Sequence, residues 1–169
     1  AVPSPAYPEV SLRPGPTMAL PPGTSALWGV LRDAGRPVPG ALLTLATVQG
    51  GAADSVTALS GPDGSYLLVL PFEVIDRSVT PPLRAFDRAL TVFAPRPALA
   101  TALATKGFLA GQPANVFGLT AAGRNALFLP RDFQLRDAGG TLHPQVGGQN
   151  PPASVSVGAR VRLDIELLP

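Results

Sequence analysis

Between residues 27 and 72, apolar runs of strand length alternate with short polar turns. The first run, Ser25 to Leu31, ends at Asp33-Ala34-Gly35-Arg36-Pro37, a polar turn whose glycine reaches positive φ at little cost. Pro37 to Gly40 leads into a second strand, about Ala41 to Val48. Gln49 to Ala53 forms a small-residue turn, and a third strand runs about Asp54 to Leu59. Gly61-Pro62-Asp63-Gly64 is the strongest turn signal in the chain. Pro62 presets φ, Asp63 can bond the backbone ahead of it, and Gly64 takes the left-handed corner. The fourth strand, Ser65 to Phe72, has a β-favouring centre.

Beyond a Pro-interrupted connection, Arg88 to Phe93 alternates as a fifth strand and stops at Pro95 and Pro97. From Ala98 to Asn150 the pattern loosens. Ala98 to Ala104 is consistent with a short helix; Asn115 to Leu119, Ala126 to Leu129 and Phe133 to Arg136 are consistent with short strands. The final stretch is the cleanest strand. Val161, Leu163, Ile165 and Leu167 alternate with Arg160, Arg162, Asp164 and Glu166, giving one buried and one charged face. The expected fold is therefore all-β: an antiparallel two-sheet sandwich of about seven strands. It carries a Pro-rich arm at residues 1–23 and a loop-rich insertion at about 95–152 within the domain 24–169. Trp28 and Tyr66 are expected to lie buried between the sheets.

Several of these motifs resemble the carboxypeptidase regulatory-like, or transthyretin-like, β-sandwich family. Trp28-Gly29-Val30, the Asp33-Ala34-Gly35 turn and Pro37-Val38-Pro39-Gly40-Ala41 match its opening strand and Pro-Val-x-Gly-Ala run. Thr57 with Asp63-Gly64-Ser65-Tyr66 matches its second signature, and Gly158-Ala159-Arg160-Val161 its closing strand. The resemblance covers residues 24–94 and, more loosely, 153–168. It implies a fold and leaves the task open, because members serve as spacers, stalks and docking modules.

Composition sharpens the picture. Pro at 21 and Gly at 18 favour short strands and irregular loops over helices. Cysteine is absent, which removes disulfides, thiolate nucleophiles and Cys-ligated metals together. Charged residues make up 14%, low for a freely solvated surface; the alternatives are a Pro/Ala-rich surface and one covered by partners. Arginines are scattered rather than gathered into the basic stripe that nucleic-acid binding needs. No run of 18 apolar residues occurs, so no transmembrane helix is expected. Nor do the first residues look like a signal peptide.

Candidate chemistry is thin. His143 is the only histidine and sits among loop glycines, which argues against zinc. No Gly-x-Ser-x-Gly elbow or phosphate-cradling glycine loop occurs. Asp132 and Asp137 lack calcium-loop spacing. The transthyretin-like hydroxyisourate hydrolases use several histidines and a C-terminal Tyr-Arg-Gly-Ser, whereas this chain ends Glu166-Leu167-Leu168-Pro169. The expectation is no enzyme, no cofactor and no metal. The arm at 1–23 cannot enter a central strand or a helix, and it carries Tyr7, Val10, Leu12, Met18 and Leu20 as apolar anchors. The chain is thus expected to be a structural or docking module of a multi-subunit assembly, of the phage virion, tail or baseplate kind. Its partners would be protein subunits of the same or a neighbouring kind, in a virion or extracellular setting. The alternative class is a secreted or cell-surface module binding a ligand such as a glycan.

Overall fold

A computed structural model describes residues 15, 18–49, 52–70 and 85–169. The chain is mostly β. Its strands are β1 (Ala26–Asp33), β2 (Arg36–Pro37), β3 (Leu42–Gln49), β4 (Ala52–Leu59), β5 (Ser65–Val69), β6 (Ala85–Arg88) and β7 (Leu90–Pro95). Helices α1 (Pro97–Lys106) and α2 (Ala121–Leu127) follow, then β8 (Phe128–Arg131), β9 (Phe133–Asp137), β10 (Leu142–His143), β11 (Ala153–Ser156) and β12 (Arg160–Leu167). One sheet runs β10-β9-β12-β1-β2, with β5 also on β1; another runs β4-β3-β7-β8; β11 and β6 form a third.

The predicted turns form for the predicted reasons. Ala34 and Gly35 sit at φ 47° and 79° between paired Asp33 and Arg36, the backbone of a two-residue hairpin. Gly64 takes φ 77°, and the Asp63 carboxylate accepts from the Ser65 amide at 3.0 Å. Four of the expected strands, the first, second, third and last, appear within a few residues of their predicted bounds. The fourth begins at Ser65 as expected and is described as strand to Val69.

The two larger sheets share a core. Leu27 and Leu31 of β1, Leu43 and Leu45 of β3, Tyr66, Val92, Phe133, Leu135 and Ile165 belong to one buried apolar cluster, joined by Ala153 and Val155 of β11. Full burial of each large side chain contributes about 1.5–3 kcal/mol. A second cluster lies on the other face of the β4-β3-β7-β8 sheet, where Leu42, Phe93 and Phe128 meet Leu99 and Leu103 of α1 and Val116. Leu42 and Leu43 thus bury opposite faces of β3. A strand covered on both sides has no need of a polar alternation.

Five expectations change. The arrangement is not wholly antiparallel, since β1 and β12 pair in parallel. Twelve β elements occur among the described residues, two of them only two residues long. The fifth strand is split: β6 leaves at Ala89 to pair with β11, while β7 pairs with β3 and β8. A sheet-switching corner of this kind has no distinct hydrophobic period. Residues 95–152 are more regular than expected, holding both helices and β8 to β10. Val116–Gly118 is a 3-10 turn, and Ala126 and Leu127 end α2, whose start is capped by the Thr120 hydroxyl accepting from the Gly123 amide at 3.1 Å. Trp28 is the fifth. Leu27, Gly29 and Leu31 face the core, so strand alternation turns Trp28 to the opposite face, where it is half-buried.

Tyr66 is buried as expected, and its hydroxyl donates to the Leu163 carbonyl at 2.6 Å. The β1–β12 ladder opens there. Pairs run from Ala26↔Arg160 to Trp28↔Arg162 and resume at Leu31↔Ile165. Between them, the Val30 amide donates to Asp164 Oδ1 at 3.0 Å instead of to a strand carbonyl. A Cβ on Gly29 would collide with the Leu163 carbonyl, so glycine is required for this approach. Burial, with the nearby Asp164 carboxylate second, raises the Tyr66 phenol far above its ordinary pKa and keeps it a donor.

Tyr66→Phe is expected to lose about 1–3 kcal/mol, because the buried Leu163 carbonyl is left without its donor. Gly29→Ala is expected to lose more. Urea unfolding midpoints check both, and a Tyr66→Phe midpoint equal to wild type would overturn the first. At the hairpin, Ala34→Asn is expected to gain about 0.5–1 kcal/mol by relieving positive φ in a residue with Cβ; an unchanged thermal midpoint would contradict it.

Candidate functional site

The segment before β1 is stitched to the body. Ser25 is buried; its hydroxyl accepts from the Gly158 amide at 2.8 Å and its carbonyl from the Leu70 amide at 2.9 Å. The Ala26 amide donates to Ala159 at 3.0 Å, and Arg160 Nη1 donates to the Met18 carbonyl at 3.2 Å. Of the five apolar anchors read from the sequence, Met18 stands half exposed and Leu20 is partly buried. Tyr7, Val10 and Leu12 lie outside the described residues.

Arg160 also joins this segment to Trp28. Its guanidinium lies 5.2 Å from the indole ring centre, as does that of Arg162. Arg162 is held by Asp164, Nη2 to Oδ2 at 3.0 Å. Trp28, Arg160 and Arg162 therefore form one patch on the outer face of the β10-β9-β12-β1-β2 sheet, and Arg160 ties the backbone of Met18, in the N-terminal segment, to it. The sequence signal for it was present but misassigned. An aromatic in a strand reads as core unless its phase against neighbouring leucines is followed.

Further along that face, Glu166 accepts from Gln134 Nε2 at 2.8 Å and from Arg136 Nε at 3.1 Å. These two hydrogen bonds hold its carboxyl below the ordinary range. The charged face of β12 thus meets complementary side chains of antiparallel β9. His143, expected as a plain loop residue, lies on the two-residue β10 with Nε2 3.0 Å from Asp137 Oδ2. Asp137 also accepts the Thr141 amide at 2.9 Å, and the contact from His143, followed by that amide, lowers its pKa. The pair closes the β9–β10 hairpin on an exposed surface.

Asp132 lines a hollow of about 380 Å³ beside Thr91, Arg131 and Asn150. Arg131 is fixed there, Nη1 on Asp33 Oδ2 at 3.2 Å and Nη2 on the Leu168 carbonyl at 2.7 Å. No sequence motif marks this hollow, because its walls come from β7, β8, the loop before β11 and the residues after β12.

Among the described residues, no helix is long and apolar enough to cross a membrane. The chain matches no protein-family model and no curated protein.

Glu166, Asp137 and Asp63 all titrate lower in the folded chain than in an unstructured one. On acidification the unfolded chain therefore takes up protons first. The stability these three carboxylates contribute is expected to be full above the ordinary carboxylate range and to fall as the pH drops through it, from about 5 toward 3. Glu166→Gln is expected to flatten part of that decline, read from urea midpoints across the pH series. A variant that keeps the wild-type acid slope would remove Glu166 from the account.

Proposed function

We propose that this chain is a transthyretin-like two-sheet sandwich serving as a non-enzymatic docking module in a multi-subunit protein assembly, of the virion, tail or baseplate kind. The observation that carries the reading is the patch of Trp28, Arg160 and Arg162, to which the half-exposed Met18 is tied through its carbonyl. Trp, Arg and Met are enriched at protein interfaces, and Trp and Arg supply most binding hot spots. The patch sits where the Pro-rich segment joins the body. Prolines stiffen that segment before binding, so ordering it on a neighbour costs less entropy per residue than ordering a flexible tail. With its base stitched through Ser25 and Met18, the segment holds a neighbour at a defined position. Low charge, at 14% of residues, is in keeping with a surface covered by other subunits.

Sedimentation velocity tests the proposal on the full chain, on a chain lacking residues 1–17, and on Trp28→Ala. The full chain is expected to sediment as a defined oligomer and the truncated chain as a monomer with a near-unchanged thermal midpoint. Trp28→Ala is expected to weaken association at least about tenfold, as hot-spot truncations do. Equal association by all three, or a monomeric full chain, would overturn the reading.

A further inference from the structure

We propose that the hollow between β7, β8 and the residues after β12 is a binding site for a neutral polyhydroxy ligand, a saccharide unit presenting adjacent hydroxyls. This goes beyond the docking reading and uses none of its residues.

Some polar groups lining the hollow are already engaged within the fold and others are not. Arg131 is committed twice, to Asp33 and to the Leu168 carbonyl, and is a fixed wall with its charge balanced by Asp33. Asn150 is committed through one atom only. Its Oδ1 accepts from the Phe133 amide at 3.0 Å and from Gln145 Nε2 at 2.8 Å. A backbone N–H can only donate, so the carboxamide orientation is determined and Nδ2 has no acceptor among the described residues. The Asp132 carboxylate has no hydrogen-bond or ion-pair partner among the described residues, and neither does the Thr91 hydroxyl. The Asp132 backbone is itself tied, its carbonyl accepting from the Leu168 amide at 2.9 Å.

The hollow thus offers one strong acceptor, one oriented donor and one hydroxyl, on a frame held by hydrogen bonds to other strands. Pro130 and Leu168 supply apolar wall. Its volume is at the lower end of small-molecule sites. The unspent charge is negative, so an anion is repelled. A simple ammonium would use Asp132 but leave Asn150 Nδ2 facing a cation. A vicinal diol satisfies both, one hydroxyl donating to Asp132 and its neighbour accepting from Asn150. Sites built on such paired contacts reject analogues that lack one hydroxyl, because a polar group is then left unpaired.

The test is a ¹⁵N–¹H correlation titration of the full chain with the methyl glycosides of glucose, galactose and mannose. Cyclohexanol serves as the single-hydroxyl control and ethylammonium chloride as the cation control. At least one glycoside is expected to shift the amides of Thr91, Asp132 and the Asn150 side-chain NH₂ in a saturable way. A Kd of about 1–10 mM is expected, as befits a small, open site. Asp132→Ala, which removes a side chain with no hydrogen bond or ion pair among the described residues, is expected to weaken this at least about tenfold. The two controls should leave those signals in place. The proposal is overturned if no glycoside shifts them up to about 100 mM, if ethylammonium shifts them and the glycosides do not, or if Asp132→Ala binds like wild type.

Discussion

The carbonyl of Leu163 is the point on which the largest sheet turns. Parallel strands β1 and β12 have to lie together at the centre of that sheet, yet their ladder is interrupted at Gly29 and Val30. An interruption in a buried ladder orphans one donor and one acceptor, each expensive to leave unpaired. Here both are recovered by side chains. Tyr66 reaches from β5 to the carbonyl, and Asp164 turns from β12 to the Val30 amide. Only a residue without Cβ at position 29 leaves room for the arrangement. Three strands are tied at one place, and Gly29 and Tyr66 are both committed to it.

The β4-β3-β7-β8 sheet is governed by a different constraint. One face joins the shared core, and on the other Leu42, Phe93 and Phe128 lie under α1 and the Val116 turn. Where both faces are covered, neighbouring residues can both be apolar, as Leu42 and Leu43 show, while Asp54, Ser55 and Thr91 of the same sheet lie exposed. The outer face of the other large sheet is polar, and there the β12 charges meet Gln134 and Arg136. Against that charged ground Trp28 stands out as an apolar group, and the two arginines beside the ring keep the indole partly covered without burying it. The docking proposal rests on this contrast. The hollow at Asp132 and Asn150 sits apart from it, on residues committed to neither core.

Local chemistry made much of the chain legible. Pro-Asp-Gly specified its turn because each residue restricts its own backbone, and the Asp63 carboxylate bonds the next strand as side-chain length allows. The alternation of Val161, Leu163, Ile165 and Leu167 announced a strand with one core face, and Leu163, Ile165 and Leu167 are buried in it. Alanine and leucine from 98 to 104 announced a helix. In each case the information lies within a few residues, and the physical preference acts over the same distance.

What the tertiary structure decided was everything that depends on a partner far along the chain. Trp28 faces outward because Leu27 and Leu31 claim the core, a choice of phase that its aromatic ring does not reveal. The run Arg88 to Phe93 divides between two sheets because β11 and β3, remote in sequence, offer edges to its two halves. Ala126 and Leu127 are helical because Thr120 caps the turn ahead of them and Leu127 packs on the second apolar cluster, outweighing a weak local strand signal. Asp132 and Asn150 share a hollow only because β8 and the loop before β11 are brought together. By itself, then, the sequence determined turns, strand phase where one face is polar, and the β-rich class. Parallel pairing, the broken ladder and both candidate surfaces followed from contacts between residues that no local preference links.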